Sequence, residues 1–204
     1  MKNIYRNLTV IAGCTLLLAA CSKDRLVVEP VNEFLSSNYY QTEDQVASAL
    51  IGVYDPIGWS MAYGQWISPT MMGEIRSDNA NAGGDPSNND QPGWQELDDF
   101  TNTNSNVVLH PIYRKGYIGI SRANALLDLT EIESDAVSSY KAQAQWLRAY
   151  YHFELFRHFG PIPVVNKSLT PDDMNLERGT LSEVMQQIVT DCQEALPYLP
   201  LVAP

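Results

Sequence analysis

The chain is poor in basic residues, poor in cysteine and without any apolar run long enough to cross a bilayer. Each shortage closes off a class of protein. Thirteen Lys and Arg stand against 24 Asp and Glu, a formal net charge of −11. Nucleic acid is therefore a poor partner, because that binding depends on neutralising phosphates with cationic side chains. Anionic lipid surfaces are disfavoured for the same reason, and a neutral ligand such as a sugar, or a basic protein patch, remains open. The longest uncharged apolar stretch, Leu8 to Ala20, falls short of the roughly 20 residues a spanning helix needs. No Ser/His/Asp arrangement or Gly-rich phosphate motif is present, and no cofactor is implied.

The same short run reads as something else. Lys2 and Arg6 precede it, and Leu18-Ala19-Ala20-Cys21 closes it. A basic start, an apolar core and small residues before a cleavage point make a secretory signal. The order aliphatic, small, small, cysteine is what a lipoprotein signal peptidase reads, since the thiol takes the diacylglycerol before cleavage. Residues 1–20 are thus expected to be a removed signal peptide. Cys21 becomes the lipidated first residue of the mature chain, anchoring it to a membrane. Loss of Lys2 and Arg6 takes the formal charge from −11 to −13. Cys14 leaves with the signal and Cys21 carries lipid, so Cys192 stands alone. An intramolecular disulfide and a site built on several thiolates are both excluded.

Residues 21–40 read as a lipid tether and an extended lead-in, and 41–204 as one helical domain. Thr42-x-x-Gln45 is a capping box, followed by Val46, Ala49, Leu50 and Val53 at helical spacing until Pro56 and Gly58 end the run. Helix returns near His110-Pro111, with Ile112, Tyr113, Tyr117, Ile120, Ala123 and Leu127 on one face. Another begins near Ser134 and is apolar nearly all round, with Trp146, Tyr150, Phe153 and Phe156 beside the periodic positions. Such a helix is expected to be buried in a multi-helix layer. Gly160-Pro161 stops it. A second capping box, Thr180-x-x-Glu183, opens a last helix that carries Leu181, Val184, Met185, Ile188, Cys192 and Leu196 on one side and ends at Pro197. Cys192 is accordingly expected to be buried and slow to react. "IPVV", Ile162 to Val165, is at most a short extended piece. The predicted fold is mostly α, stacked helical hairpins interrupted by a long irregular polar insertion at about 58–106.

Inside that insertion, residues 77–106 contain no Lys or Arg and are rich in Asn, Asp, Gly and Pro. Composition alone suits a flexible linker, but a loop this long between helices is commonly a binding or capping feature. A calcium loop fails, because Ala80 and Ala82 stand where oxygen ligands would be needed after Asp78. Glu96 with Asp98-Asp99 fits a solvated charge cluster better than a glycosidase pair, and no metal site is expected. Trp59, Trp66 and Trp94 are the aromatics in or beside the insertion. A flat indole can carry the C–H face of a sugar while Asp78 and Asn79 take its hydroxyls. Alternatively each indole pins the loop to the helices. Arg148, inside an apolar helix, is expected to bond a carbonyl or carboxylate and to be structural. His152 and His158 are wrongly spaced to share a metal face.

Five motifs in one order extend this picture. They are Tyr39-Tyr40-Gln41-Thr42 through Ala49, Gly52 and Tyr54; Glu74-Ile75-Arg76-Ser77-Asp78-Asn79; and Arg122-Ala123-Asn124 with Leu126-Leu127. Ala142 and Ala144 through Leu147-Arg148-Ala149 to Gly160 and Pro163 follow, then Glu183-Val184, Ile188, Asp191, Ala195 and Leu199-Pro200. Behind the Cys21 signal, this series resembles the N-terminal region of the SusD-like (RagB/SusD) outer-membrane lipoproteins. The resemblance implies tetratricopeptide-like hairpins supporting an irregular ligand region, residence on the outer-membrane surface, and partnership with a SusC-like TonB-dependent transporter. It implies delivery of nutrient oligosaccharides, or sometimes peptides, and no enzymatic activity. Family members are usually more than twice this length, so much of the usual ligand region is expected beyond these residues. The alternative is a helical-repeat lipoprotein scaffold of envelope assembly that binds only proteins.

Overall fold

The computed structural model describes residues 39–62, 65–85, 87, 90–173 and 175–199. The signal, Cys21 and most of the tether fall outside them. Helix α1 (Glu43–Tyr54) starts where the first capping box places it: Thr42 accepts from the Gln45 amide while Gln45 accepts from the Thr42 amide. Its buried stripe is Val46, Leu50 and Val53. A 3₁₀ turn, Asp55–Gly58, with proline at its start, breaks the helix. Two long helices follow the insertion: α4 (Leu109–Leu129) and α5 (Asp135–Phe159). Ser134 caps α5 by accepting from the Val137 amide, and Gly160, at φ +68, ends it. The last helix, α6 (Leu181–Ala195), carries the second capping box at Thr180 and Glu183.

These four helices share one core. Val46, Val53, Ile120, Leu126, Leu147, Leu155 and Val184 are among its buried members. The short link 130–134 returns α5 against α4, and α4 lets it come close because Gly116 and Gly119 lie at the contact. A Cβ added at Gly116 would stand 2.6 Å from Leu155 Cγ, and one at Gly119 2.3 Å from the Tyr151 ring. Tyr151 then reaches past α4 to donate to the Val53 carbonyl at 2.6 Å, tying α5 to α1.

Arg148 is buried and fully engaged. Its guanidinium forks onto the Asp191 carboxylate of α6, with Nε to Oδ2 at 2.9 Å, and donates to Asn124 Oδ1 and the Asn166 carbonyl. Asn124 in turn donates to the Val165 and Lys167 carbonyls. The segment 162–166 is extended without strand partners, and these side chains supply the hydrogen bonds a sheet would have given it. His152 completes the set: Nε2 accepts from the Val165 amide and Nδ1 donates to the Arg148 carbonyl. Burial lowers its pKa to about 4, against smaller opposing pulls from that carbonyl and Asp191, so the ring is neutral here.

Two expectations about burial are corrected. α6 buries Val184, Ile188, Asp191 and Ala195, whereas Leu181, Met185, Val189 and Leu196 are exposed. Cys192 is exposed as well. The helix is turned so that Asp191, not Cys192, faces Arg148. On α5, Trp146 and Phe153 are exposed at 44% and 45%, so that helix is not covered on all sides.

The insertion is partly ordered as two short helices, α2 (Pro69–Ile75) and α3 (Pro92–Asp98), each with proline in its first turn. Before them β1 (Met61–Ala62) and β2 (Gln65–Trp66) pair antiparallel, Met61 opposite Trp66. Ile67, Met72, Ile75, Trp94 and Leu97 form a second small core that also takes in Val108 and Ile112 at the start of α4. The polar composition therefore conceals a folded unit seated on α4.

Candidate functional site

The second core fixes a polar cleft above it. α3 lies tight against the chain entering α4, since a Cβ at Gly93 would meet Val107 Cγ2 at 2.8 Å. Asn106, only 4% exposed, bonds the Gly93 carbonyl and Glu96 through Nδ2 and accepts from the Val108 amide. On the other flank Gln95 donates to the carbonyls of Gly83 and Asp90. Asp98 accepts from the Ala82 amide at 2.9 Å. Amide and carboxylate side chains thus satisfy the backbone of a loop that makes little regular structure.

After α3 the chain turns back. Thr101 and Asn102 donate to the Glu96 carbonyl at 2.9 and 3.1 Å. Phe100 sits at the bend with φ +57. A bulky side chain in the left-handed region costs about 1–2 kcal/mol, and its surroundings must hold it there. Phe100 is nonetheless 64% exposed. Arg76, at the C-terminal end of α2, lies 4.7 Å over the ring and donates to Asn102 at 3.0 Å. A cleft of about 500 Å³ opens here, bounded by Arg76, Asp78, Asn79, Asn81, Asp98 and Phe100. It brings a largely exposed aromatic ring, with Arg76 over one face, together with hydroxyl-bonding groups.

The sequence-predicted residues fall in three places. Asp78 and Asn79 line this cleft and are exposed. Trp94 does not reach it: the indole is 1% exposed among the second core, and its Nε1 has no hydrogen-bond partner among the described residues. A buried ring has no face for a ligand, so the stacking role considered for Trp94 is corrected to that of an anchor beneath the site. Trp59 lines a different cleft, half-buried, with Arg122 5.7 Å from its ring. Trp66 is placed in β2. Phe100, Arg76 and Asn81 line the cleft without having been singled out for binding in the sequence, and Asp98, read there as a solvated charge, lines it too. For Phe100 a signal existed, as a lone aromatic in "DDFTNTN" with no apolar residue three or four positions on.

Comparison with known proteins decides the family. A model described as SusD-like, starch-binding associating with outer membrane, matches residues 26–203. The chain belongs to the SusD-like family. Among curated SusD-like relatives, SusD-like protein P2 of Formosa agariphila is 24% identical over 190 residues, covering 91% of this chain and 36% of the relative. Among solved structures, surface glycan-binding protein A from Bacteroides uniformis is 27% identical, with a TM-score of 0.72 over 80% of this chain and 36% of that one. A laminarin binding SusD-like protein is 29% identical, with a TM-score of 0.70 over 79% of this chain and 35% of that one. This SusD-like chain thus spans about a third of the length of the curated relatives it matches, 36% and 34%. Its helical hairpins are those of the SusD-like fold.

Proposed function

We propose that this chain is the N-terminal region of a glycan-binding lipoprotein. It is anchored through Cys21 to the outer-membrane surface and hands oligosaccharide to a SusC-like TonB-dependent transporter. One observation carries the binding part: Phe100 is held in a strained backbone conformation with its ring in solvent, between Arg76 and the Asp78, Asn79, Asn81 and Asp98 side chains. The left-handed turn ends α3 and returns the Thr101 and Asn102 amides to the Glu96 carbonyl, but the aromatic placed there gains no core packing, since its ring is left in solvent. A sugar ring laid on that face would meet donors and acceptors at its edges. The names carried by SusD-like relatives, glycan-binding and laminarin binding, support the ligand class and describe binding rather than hydrolysis. The description of the family model and the sequence around Cys21 support the location.

Native electrophoresis of the full chain through gels containing laminarin tests the ligand class. The protein should be retarded in proportion to the polysaccharide, and Asp78→Ala with Asn79→Ala should restore much of its mobility. Unretarded migration through laminarin and through starch would remove the glycan-binding reading. For the transporter, co-purification of a TonB-dependent barrel with the tagged protein from native outer membranes is expected. Recovery without any barrel would contradict the handover.

A further inference from the structure

A second cleft, of about 410 Å³, lies between the segment around Trp59 and helix α5, and none of its lining residues belongs to the first. Its volume falls within the roughly 300–1,000 Å³ of small-ligand sites. Trp59 and Ser60 form one wall, Tyr150, Glu154 and Arg157 the other, and Lys115 of α4 the floor. Tyr150 is half-buried, and Trp146 lies beside it with the ring planes 10° apart and centroids 6.1 Å apart. Trp146 is 44% exposed, so two parallel aromatic rings run from the cleft onto the surface of α5.

The three charged groups lining this cleft, Lys115, Glu154 and Arg157, are all engaged with protein partners. Arg157 donates to Glu154 at 3.0 Å, and Lys115 donates to the Trp59 carbonyl at 2.9 Å and more weakly to that of Ile57. A bound anion would meet the Glu154 carboxylate, and a bound cation would meet Lys115 and Arg157. Neither finds a compensated place, whereas a neutral polyhydroxylated ligand finds donors and acceptors side by side. The deep end carries a second sign of a ligand. A small cavity of about 20 Å³ lies there, walled mostly by apolar groups such as Ile57, Ile112 and Leu155, with Glu154 and His158 at its polar side. The His158 side chain is 8% exposed and 3.7 Å from Glu154, and its Nε2 makes no hydrogen bond among the described residues. Glu154 Oε2 faces that nitrogen at a distance too long for a hydrogen bond, so the buried Nε2 is under-satisfied, which is costly. A cavity of that size has room for one oxygen atom.

Resting on the glycan-binding reading above, we propose that this cleft is a separate glycan subsite. A neutral hexose unit lies against Tyr150 with its hydroxyls on Glu154, Arg157 and Ser60, and one hydroxyl reaches His158 Nε2. Trp146 carries the next unit of the strand.

Calorimetric titration of the full chain with laminarin oligosaccharides tests this separately from the Phe100 site. Two sites per chain are expected. Tyr150→Ala should leave one, and Phe100→Gly should also leave one, by loss of the other. If Tyr150→Ala does not fold, the exposed changes Trp146→Ala and Arg157→Ala should each weaken only one of the two sites, by about tenfold. A single site in the wild type, untouched by these α5 changes and lost in Phe100→Gly, overturns the second subsite and leaves the first standing. A single site that survives Phe100→Gly and disappears in Tyr150→Ala does the reverse. Absence of any binding overturns both.

Discussion

Replacing Trp94 by alanine separates an anchor from a platform. The indole is 1% exposed and packs with Ile67, Met72, Ile75, Leu97, Val108 and Ile112. Truncating a buried aromatic of this size costs about 3–5 kcal/mol, the lost transfer energy plus the cavity left behind. In a chain of this length each kcal/mol moves the melting temperature by about 2–4 °C, so Tm should fall by roughly 6–20 °C. Because the second core is small, part of that loss should emerge as local opening of residues 67–108, visible as faster amide exchange there. Trp94→Phe is the control. It keeps a ring in place and deletes a buried N–H that has no partner among the described residues. Leaving such a donor unpaired costs about 1–3 kcal/mol, which offsets much of the smaller cavity, and stability should change by no more than about 1–2 kcal/mol. Melting followed by circular dichroism measures both variants, and laminarin binding is then compared below the lower Tm. A Trp94→Ala protein with unchanged Tm and lost binding would refute the buried placement.

Four further outcomes follow from the buried network and the cysteines. Asp191→Ala leaves the Arg148 guanidinium buried without its carboxylate and should cost about 3–5 kcal/mol in urea unfolding; a loss below 1 kcal/mol would contradict the ion pair. His152 has a folded pKa of about 4 against 6.5, so the unfolded chain takes its proton first as pH falls. Its contribution is whole above pH 6.5, declines between 6.5 and 4, and is constant below, a loss of about 3 kcal/mol in all. The stability difference between wild type and His152→Asn should therefore shrink or reverse across that window, and a flat difference would refute neutral burial. Cys192 is exposed, while partial burial and the neighbouring Asp191 raise its thiol pKa; folded protein should react with a thiol reagent without unfolding, at a rate that climbs with pH. Cys21→Ala should abolish fatty-acid labelling and release the protein from membranes, and continued labelling would sink the lipoprotein assignment.

What could be read in advance was local. Thr42, Ser134 and Thr180 announced three helix starts because a cap and its partner lie three residues apart, and Gly160 announced a stop. The orientation of α6 was not legible, because both of its faces carry apolar residues. The choice between them depends on Arg148, whose partner Asp191 is 43 positions away. The same distance effect hid the order in the insertion. Pro69 and Pro92 were present as helix-start signals, but what makes those short helices stable is packing on Val108 and Ile112. Asp78 and Asn79 were singled out as polar residues of a long loop, and both line the cleft. Trp94 was misplaced as a platform since an aromatic in a polar stretch can pack or bind. Leu97, three residues on, pointed to packing. Phe100 is also three residues from Leu97, so spacing alone does not separate the two rings, and its left-handed backbone is visible only in three dimensions.

The central claim is that the Phe100 ring holds a sugar, and Phe100→Gly tests it most directly. Glycine relieves about 1–2 kcal/mol of left-handed strain, which offsets the lost contact with Arg76, worth about 0.5–1 kcal/mol at an exposed site. Fold stability should therefore be unchanged or slightly raised. Loss of the stacking face should weaken the laminarin site at this cleft by about tenfold or more. A folded Phe100→Gly protein that binds with undiminished affinity at every site it had before would contradict the account.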